Sequence, residues 1–190
     1  MLAFSLQLSA FSFLLSGCGL PQPQVDTVRR FTLGGEIGAE PVANATQVRP
    51  VNLAGHLHRR SMAVRVAEHE LAYLDEVRWA EPLDTALTRI LQTRLASVGG
   101  GATVTVNIER FELVRYAGNS VQLEASYTIL PAGAPKDAAQ RGVFTSSART
   151  WDGKDPGDLV GLLHDAAVEL GDALAAAVAA LPSAGSKQAP

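Results

Sequence analysis

One cysteine, four histidines and several close-set carboxylates are the residues of this chain whose types could do chemistry. His56 and His58 lie two apart, so on a strand they would face one side, and with His69 they would supply three imidazoles to a zinc-type site. Arg59 and Arg60 follow at once, and a positive neighbourhood disfavours a cation, so these histidines read as loop and surface residues. Glu68/Glu70 and Asp75/Glu76 are paired as acid–base chemistry requires, but they stand in a polar turn region where solvated charge is the ordinary account. Asp152, Asp155 and Asp158 recur around Gly153 without the twelve-residue loop and closing glutamate of a calcium site, which leaves Asp155 or Asp158 as the cap of a following helix. No GxxxxGK[ST], GxSxG or HExxH string occurs, and Gly99-Gly100-Gly101 precedes a strand pattern instead of opening a helix. The reading is of a protein that is not an enzyme and that uses neither a metal nor a soluble cofactor.

Cys18 has a better-defined chemistry. Residues 1–18 carry no charge, are rich in Leu, Phe, Ala and Ser, and end in Leu15-Ser16-Gly17-Cys18. The stretch is too short and too diluted by serine for a spanning helix, which needs about 20 apolar residues. It has the form of a signal peptide closed by a bacterial lipobox, in which small residues admit the chain to a peptidase and the thiol is acylated. Cys18 would then be the first mature residue, carrying covalent lipid (diacylglycerol and palmitate-class acyl chains) and no other cofactor. Each buried methylene contributes about 0.8 kcal/mol and more than one chain is needed for a stable anchor. Residues 18–27 read as the acylated cysteine and an extended tether, in which Gly19–Asp26 reaches about 28 Å at most. Lipoproteins kept in the inner membrane more often carry Asp after the cysteine, and Gly19 stands here. The expectation is therefore the cell envelope, at the periplasmic face of the outer membrane.

These residues need a domain to position them. The chain of 190 residues is 47% apolar and 18% charged, a globular balance that suits one domain, taken as 28–181 with a small polar tail at 182–190. Sixteen basic against 19 acidic residues give a net charge of −3, and aromatic residues are 6%. This offers no basic field to an anionic bilayer and argues against nucleic acid. Strand patterns run over Val28–Leu33 and Val48–Leu53, over Met62–Val66 and Glu70–Leu74 as a hairpin, over Val104–Leu113, Val121–Ile129 and Arg141–Thr150. In the run from Val104 the apolar phase slips by one near Glu109-Arg110, which predicts a bulge. Thr and Ser in the last run predict an edge strand or a partly exposed face. Leu83, Leu87, Ile90, Leu91 and Leu95 fall on one helical face behind Pro82, and Leu159, Leu163, Ala166, Leu170, Leu174, Ala177 and Leu181 form a second stripe. The order predicts a two-layer α/β (α+β) domain, its mixed or largely antiparallel sheet packed by two main helices.

Between the hairpin and the first helix stands Arg78-Trp79-Ala80-Glu81-Pro82-Leu83. This Trp-Ala-Glu-Pro-Leu signature before an amphipathic helix, together with the lipobox, Phe31-Thr32-Leu33 and the final helix, resembles the PqiC-like family, the ABC-type transport auxiliary lipoproteins. The resemblance runs over residues 15–181 and departs from the family at His56–Arg60. It implies an accessory lipoprotein that acts by docking to an MCE-domain protein and to ABC or Pqi-type membrane components in lipid traffic between two membranes. A homo-oligomer stays open. So does a structural or assembly lipoprotein of the outer membrane without a transport partner. The signature itself has two readings. Pro82 at the first helical position, Glu81 near the positive helix end and Trp79 folded on Leu83 would start the helix. Alternatively Arg78 and Trp79, if exposed, would form a partner contact, since Trp and Arg recur at interface hot spots.

Overall fold

The computed structural model describes residues 26–34 and 40–181. Leu15, Ser16, Gly17 and Cys18, the tether as far as Val25 and the tail 182–190 lie outside the described residues.

Apolar alternation places the strands in one mixed sheet, ordered β1 (Arg29–Phe31), β5 (Glu70–Trp79), β4 (Ser61–Ala67), β6 (Thr103–Val114), β7 (Ser120–Leu130) and β8 (Gln140–Thr145). Two short pieces, β2 (Gln47–Val48) and β3 (Asn52–Leu53), run parallel to the first half of β6, and β9 (Arg149–Thr150) pairs with the start of β7. Two helices, α1 (Leu83–Leu95) and α2 (Pro156–Ala179), pack against one another and against the sheet. The protein is an α+β fold with an open sheet, as the periodicity predicts.

Burial follows the two periods. Leu83, Leu87, Ile90, Leu91 and Leu95 of α1 are buried, as are Leu159, Leu163, Ala166, Leu170 and Leu174 of α2. On β7, Val121, Leu123, Ala125 and Ile129 are buried toward the helices, whereas Gln122, Glu124, Ser126 and Thr128 are half-buried on the opposite face. That face is a polar lattice: Arg110 bridges Gln122 and Glu124, and Asn107 links Asn52 to Ser126. Gly171 brings the helices together, because a Cβ there would stand 2.8 Å from Cγ of Arg94.

Several boundaries differ from the sequence reading, each for a local reason. The first strand is confined to Arg29–Phe31. Val48–Leu53 is two strands, not one, because Pro50 has no N–H for the ladder and Val51 donates to Thr88 Oγ1 at 2.9 Å instead. The hairpin is longer, 61–67 against 70–79, with its register shifted between Ser61 and Met62 so that Asp75, Glu76 and Val77 are extra residues on β5. Arg141–Thr150 also divides in two. Between β8 and β9 the chain turns to α2, where Ser147 donates to Glu169. The register shift between Ile108 and Arg110 is the bulge the apolar phase predicts, and β8 is an edge strand. Pro82 is the cap residue of α1 and Leu83 its first helical residue, one position later than expected. Asp155 caps α2, accepting from Gly157 N at 2.8 Å ahead of Pro156.

Candidate functional site: the strand-to-helix junction

The signature Arg78–Leu83 occupies the end of β5 and the turn into α1. Trp79 alternates with Arg78 and therefore faces the helices, where it is 5% exposed, its ring 6.1 Å from that of Phe111. The condition for a Trp79 partner contact, exposure, is not met. Arg78 is half-buried on the open face and donates from Nε to the Asp75 carbonyl at 3.1 Å. Ala80 and Pro82 are exposed, and Leu83 is buried in the core.

Backbone bonds tie this turn to two neighbours. Trp79 N donates to Arg60 O at 2.7 Å and Ala80 N to Phe31 O at 2.8 Å. Glu81 takes both ends of Arg89, at 2.6 and 2.8 Å, and Arg89 reaches on to the Gly34 carbonyl at 3.3 Å. From the other helix, His164 donates from Nδ1 to the carbonyl of Leu33. The residues that follow β1 are thus pinned from both helices: the chain arriving from the tether is locked where the signature turns into α1. A shallow groove of about 420 Å³ opens beside it, between Thr32–Gly34 and the α2 residues Val160, Gly161, His164 and Asp165. The signature's spacing pointed to a helix start; Arg89 and His164 belong to the same junction and had no signal in the sequence, because each lies within an ordinary helical pattern.

The hydrogen bonds from Arg89 hold the Glu81 carboxyl below its ordinary value of 4.5, against an opposing push from burial. A depressed folded-state pKa contributes stability that is fully present above that value and is lost as pH falls through the folded one. Both side chains are partly solvated, so the pair is worth about 1 kcal/mol or less. Glu81→Gln should therefore lower denaturant stability by about that amount at neutral pH, and the gap should close as acid protonates the wild-type carboxyl. An equal deficit at every pH would show that the ion pair is not its source.

The other residues that could do chemistry are dispersed. His56 and His58 lie in a single-turn 3-10 helix, Gly55–His58, ahead of β4, whereas His69 is in the turn after it. Among the described residues no group of three or more His, Cys, Asp or Glu could hold a metal ion. Asp155 takes Arg29 Nη1 at 2.9 Å in addition to its capping bond, and Asp152 receives the backbone N–H of Lys154. One cluster is new. Glu112, 1% exposed, is gripped by Nε and Nη2 of Arg65, which also reaches Glu68 O at 3.1 Å. Nε2 of His56 is 3.7 Å from the same carboxylate, buried and without a hydrogen-bond partner among the described residues. It left no signal in the chain, since Glu112 falls in the alternation of β6 where an exposed polar residue is expected.

Comparison with known proteins places this junction inside a recognised segment. Residues 32–106 match the model of a family described as ABC-type transport auxiliary lipoprotein component. No curated protein matches the chain. Among solved structures, a protein described as uncharacterized superimposes with a TM-score of 0.62 at 16% identity, covering 78% of this chain and 97% of its own. A Xanthomonas campestris protein assigned to DUF330 gives 0.59 at 18% identity, covering 77% of this chain and 88% of its own. At these identities the likeness is one of fold.

Proposed function

We propose that this chain, whose residues 32–106 match the model of a family described as ABC-type transport auxiliary lipoprotein component, is a membrane-anchored accessory of an intermembrane lipid transport system. It is held in the cell envelope through acylated Cys18, at the periplasmic face of the outer membrane, and acts by docking to an MCE-domain protein and its ABC or Pqi-type membrane components. The observation that carries the reading is the family match, which takes in β4, β5, α1 and the junction at Trp79–Leu83. Two features support it. The lipobox Leu15–Cys18 stands eight residues from the first described one, so the domain works within about 28 Å of its bilayer. The junction clamps the incoming chain to both helices, so a tether ending at β1 holds a rigid body.

Crosslinking in intact envelopes, followed by affinity capture and mass spectrometry, tests this. The expected product with wild-type protein is an MCE-domain protein together with membrane components of a transporter. Cys18→Ser should leave the chain unacylated and its signal peptide uncleaved by the lipoprotein peptidase, and abolish that capture. Recovery of outer-membrane assembly factors or peptidoglycan-linked proteins alone would overturn the transport reading, and retention of acyl label by Cys18→Ser would overturn the anchor.

A further inference from the structure

The net charge of −3 conceals how the arginines are distributed. Arg65, Arg89, Arg110 and Arg149 are engaged by Glu112, Glu81, Glu124 and Glu169, and Arg29 by Asp155. Arg59, Arg60 and Arg78 make no ion pair among the described residues, and they lie together. Arg78 on β5 is in register with Arg30 on β1 and with Ser61 on β4, which Arg60 and Arg59 directly precede. Because Phe31 and Trp79 turn toward the helices, Arg30 and Arg78 point to the open face. Arg59 lies over the ring of Tyr73, its Cζ 4.7 Å from the centroid. Arg30, Arg59 and Arg60 are exposed and Arg78 is half-buried.

This corner is where the tether arrives. Asp26, the first described residue, is bonded to Arg30 Nη2 at 3.0 Å, and the field of Arg78 reaches the same carboxylate. The acylated end is eight residues upstream. Asp75 and Glu76 are exposed on the neighbouring bulge, so there is no broad positive field. What the corner offers is the guanidinium forks of Arg59, Arg60 and Arg78, none of them in an ion pair among the described residues, a chemistry suited to bidentate contact with phosphate at short range. We propose that Arg59, Arg60 and Arg78, beside Arg30, bind the phosphates of anionic phospholipid headgroups in the anchoring bilayer and so set the domain's orientation on it. The proposal rests on the reading of Cys18 as the anchor.

Cys18 is the one cysteine of the chain, so once it is acylated a cysteine placed at exposed His58 is the single reactive thiol. The test places the acylated full-length lipoprotein, carrying His58→Cys and a donor dye, in vesicles with acceptor-labelled headgroups. Energy transfer should be greater in phosphatidylcholine mixed with phosphatidylglycerol than in phosphatidylcholine alone. Arg59→Gln/Arg60→Gln/Arg78→Gln should abolish the difference, Arg60→Gln alone should reduce it, and Arg141→Gln at the far edge of the sheet should leave it intact. Equal transfer in both vesicle types, or an undiminished difference in the triple variant, would overturn the proposal while leaving the anchor standing. Release of the acylated chain from both vesicle types would overturn the anchor and the proposal with it.

Discussion

Trp79→Ala should cost about 3–5 kcal/mol of folding stability, enough to unfold much of a domain of ordinary stability. The indole is 5% exposed, packs against Phe111 and lies in the same cluster as Leu83 and Leu87, so its removal leaves a cavity that two layers would have to collapse to fill. Trp79 also ends the strand that carries Arg78 and begins the turn whose Glu81 holds Arg89, so loosening it releases the clamp on Gly34. Denaturant unfolding followed by circular dichroism checks the magnitude. A Trp79→Ala protein of wild-type stability that had lost its captured partner would return this residue to the interface. Loss of stability with Trp79→Phe retaining most of it would place the signature's tryptophan in the core.

Glu112→Ala should be comparably costly, about 3–5 kcal/mol, because removing the carboxylate leaves the Arg65 guanidinium uncompensated in a site where the pair is nearly sealed from solvent. Desolvation of an unpaired cation is the larger part of that cost, and the lost attraction the smaller. The double replacement Arg65→Met/Glu112→Leu removes both charges and fills the space, so its stability should return to within about 1 kcal/mol of wild type or exceed it. Thermal unfolding of the two single variants and the double one separates these cases. A double variant as unstable as Glu112→Ala would mean that the pair itself, not the orphaned charge, supports the fold. His56 lies against the same carboxylate, and so the cost of Glu112→Ala includes any loss of order in the 3-10 turn Gly55–His58.

Several parts of this molecule were legible in the chain because their cause is local. The 3.6-residue stripes of α1 and α2, the alternation of β7 and the phase slip before Phe111 each record which side of an element meets the core, and the burial pattern follows them. Asp155 as a cap and Pro82 at a helix start are likewise local, since each answers to backbone groups within a few residues. The break within Arg141–Thr150 was not visible, because it depends on a side chain from a distant helix, Glu169, that takes the place of a ladder partner; that within Val48–Leu53 has a local cause in Pro50, and only its partner, Thr88, comes from far along the chain.

The sequence by itself determined the lipobox pattern, the fold class and the position of the strand-to-helix signature, all of which rest on residue type and short-range spacing. Tertiary structure decided what those residues face. It buried Trp79, brought Arg89 and His164 onto the chain leaving β1, paired Arg65 with Glu112 across adjacent parallel strands, and gathered arginines 30, 59, 60 and 78 at the corner where the tether enters. The physical reason is the sheet's order. β1 pairs with β5 48 residues later in the chain, in the register of Arg29 with Val77 and Phe31 with Trp79, and such pairings are fixed by the packing of the whole layer and by no local propensity.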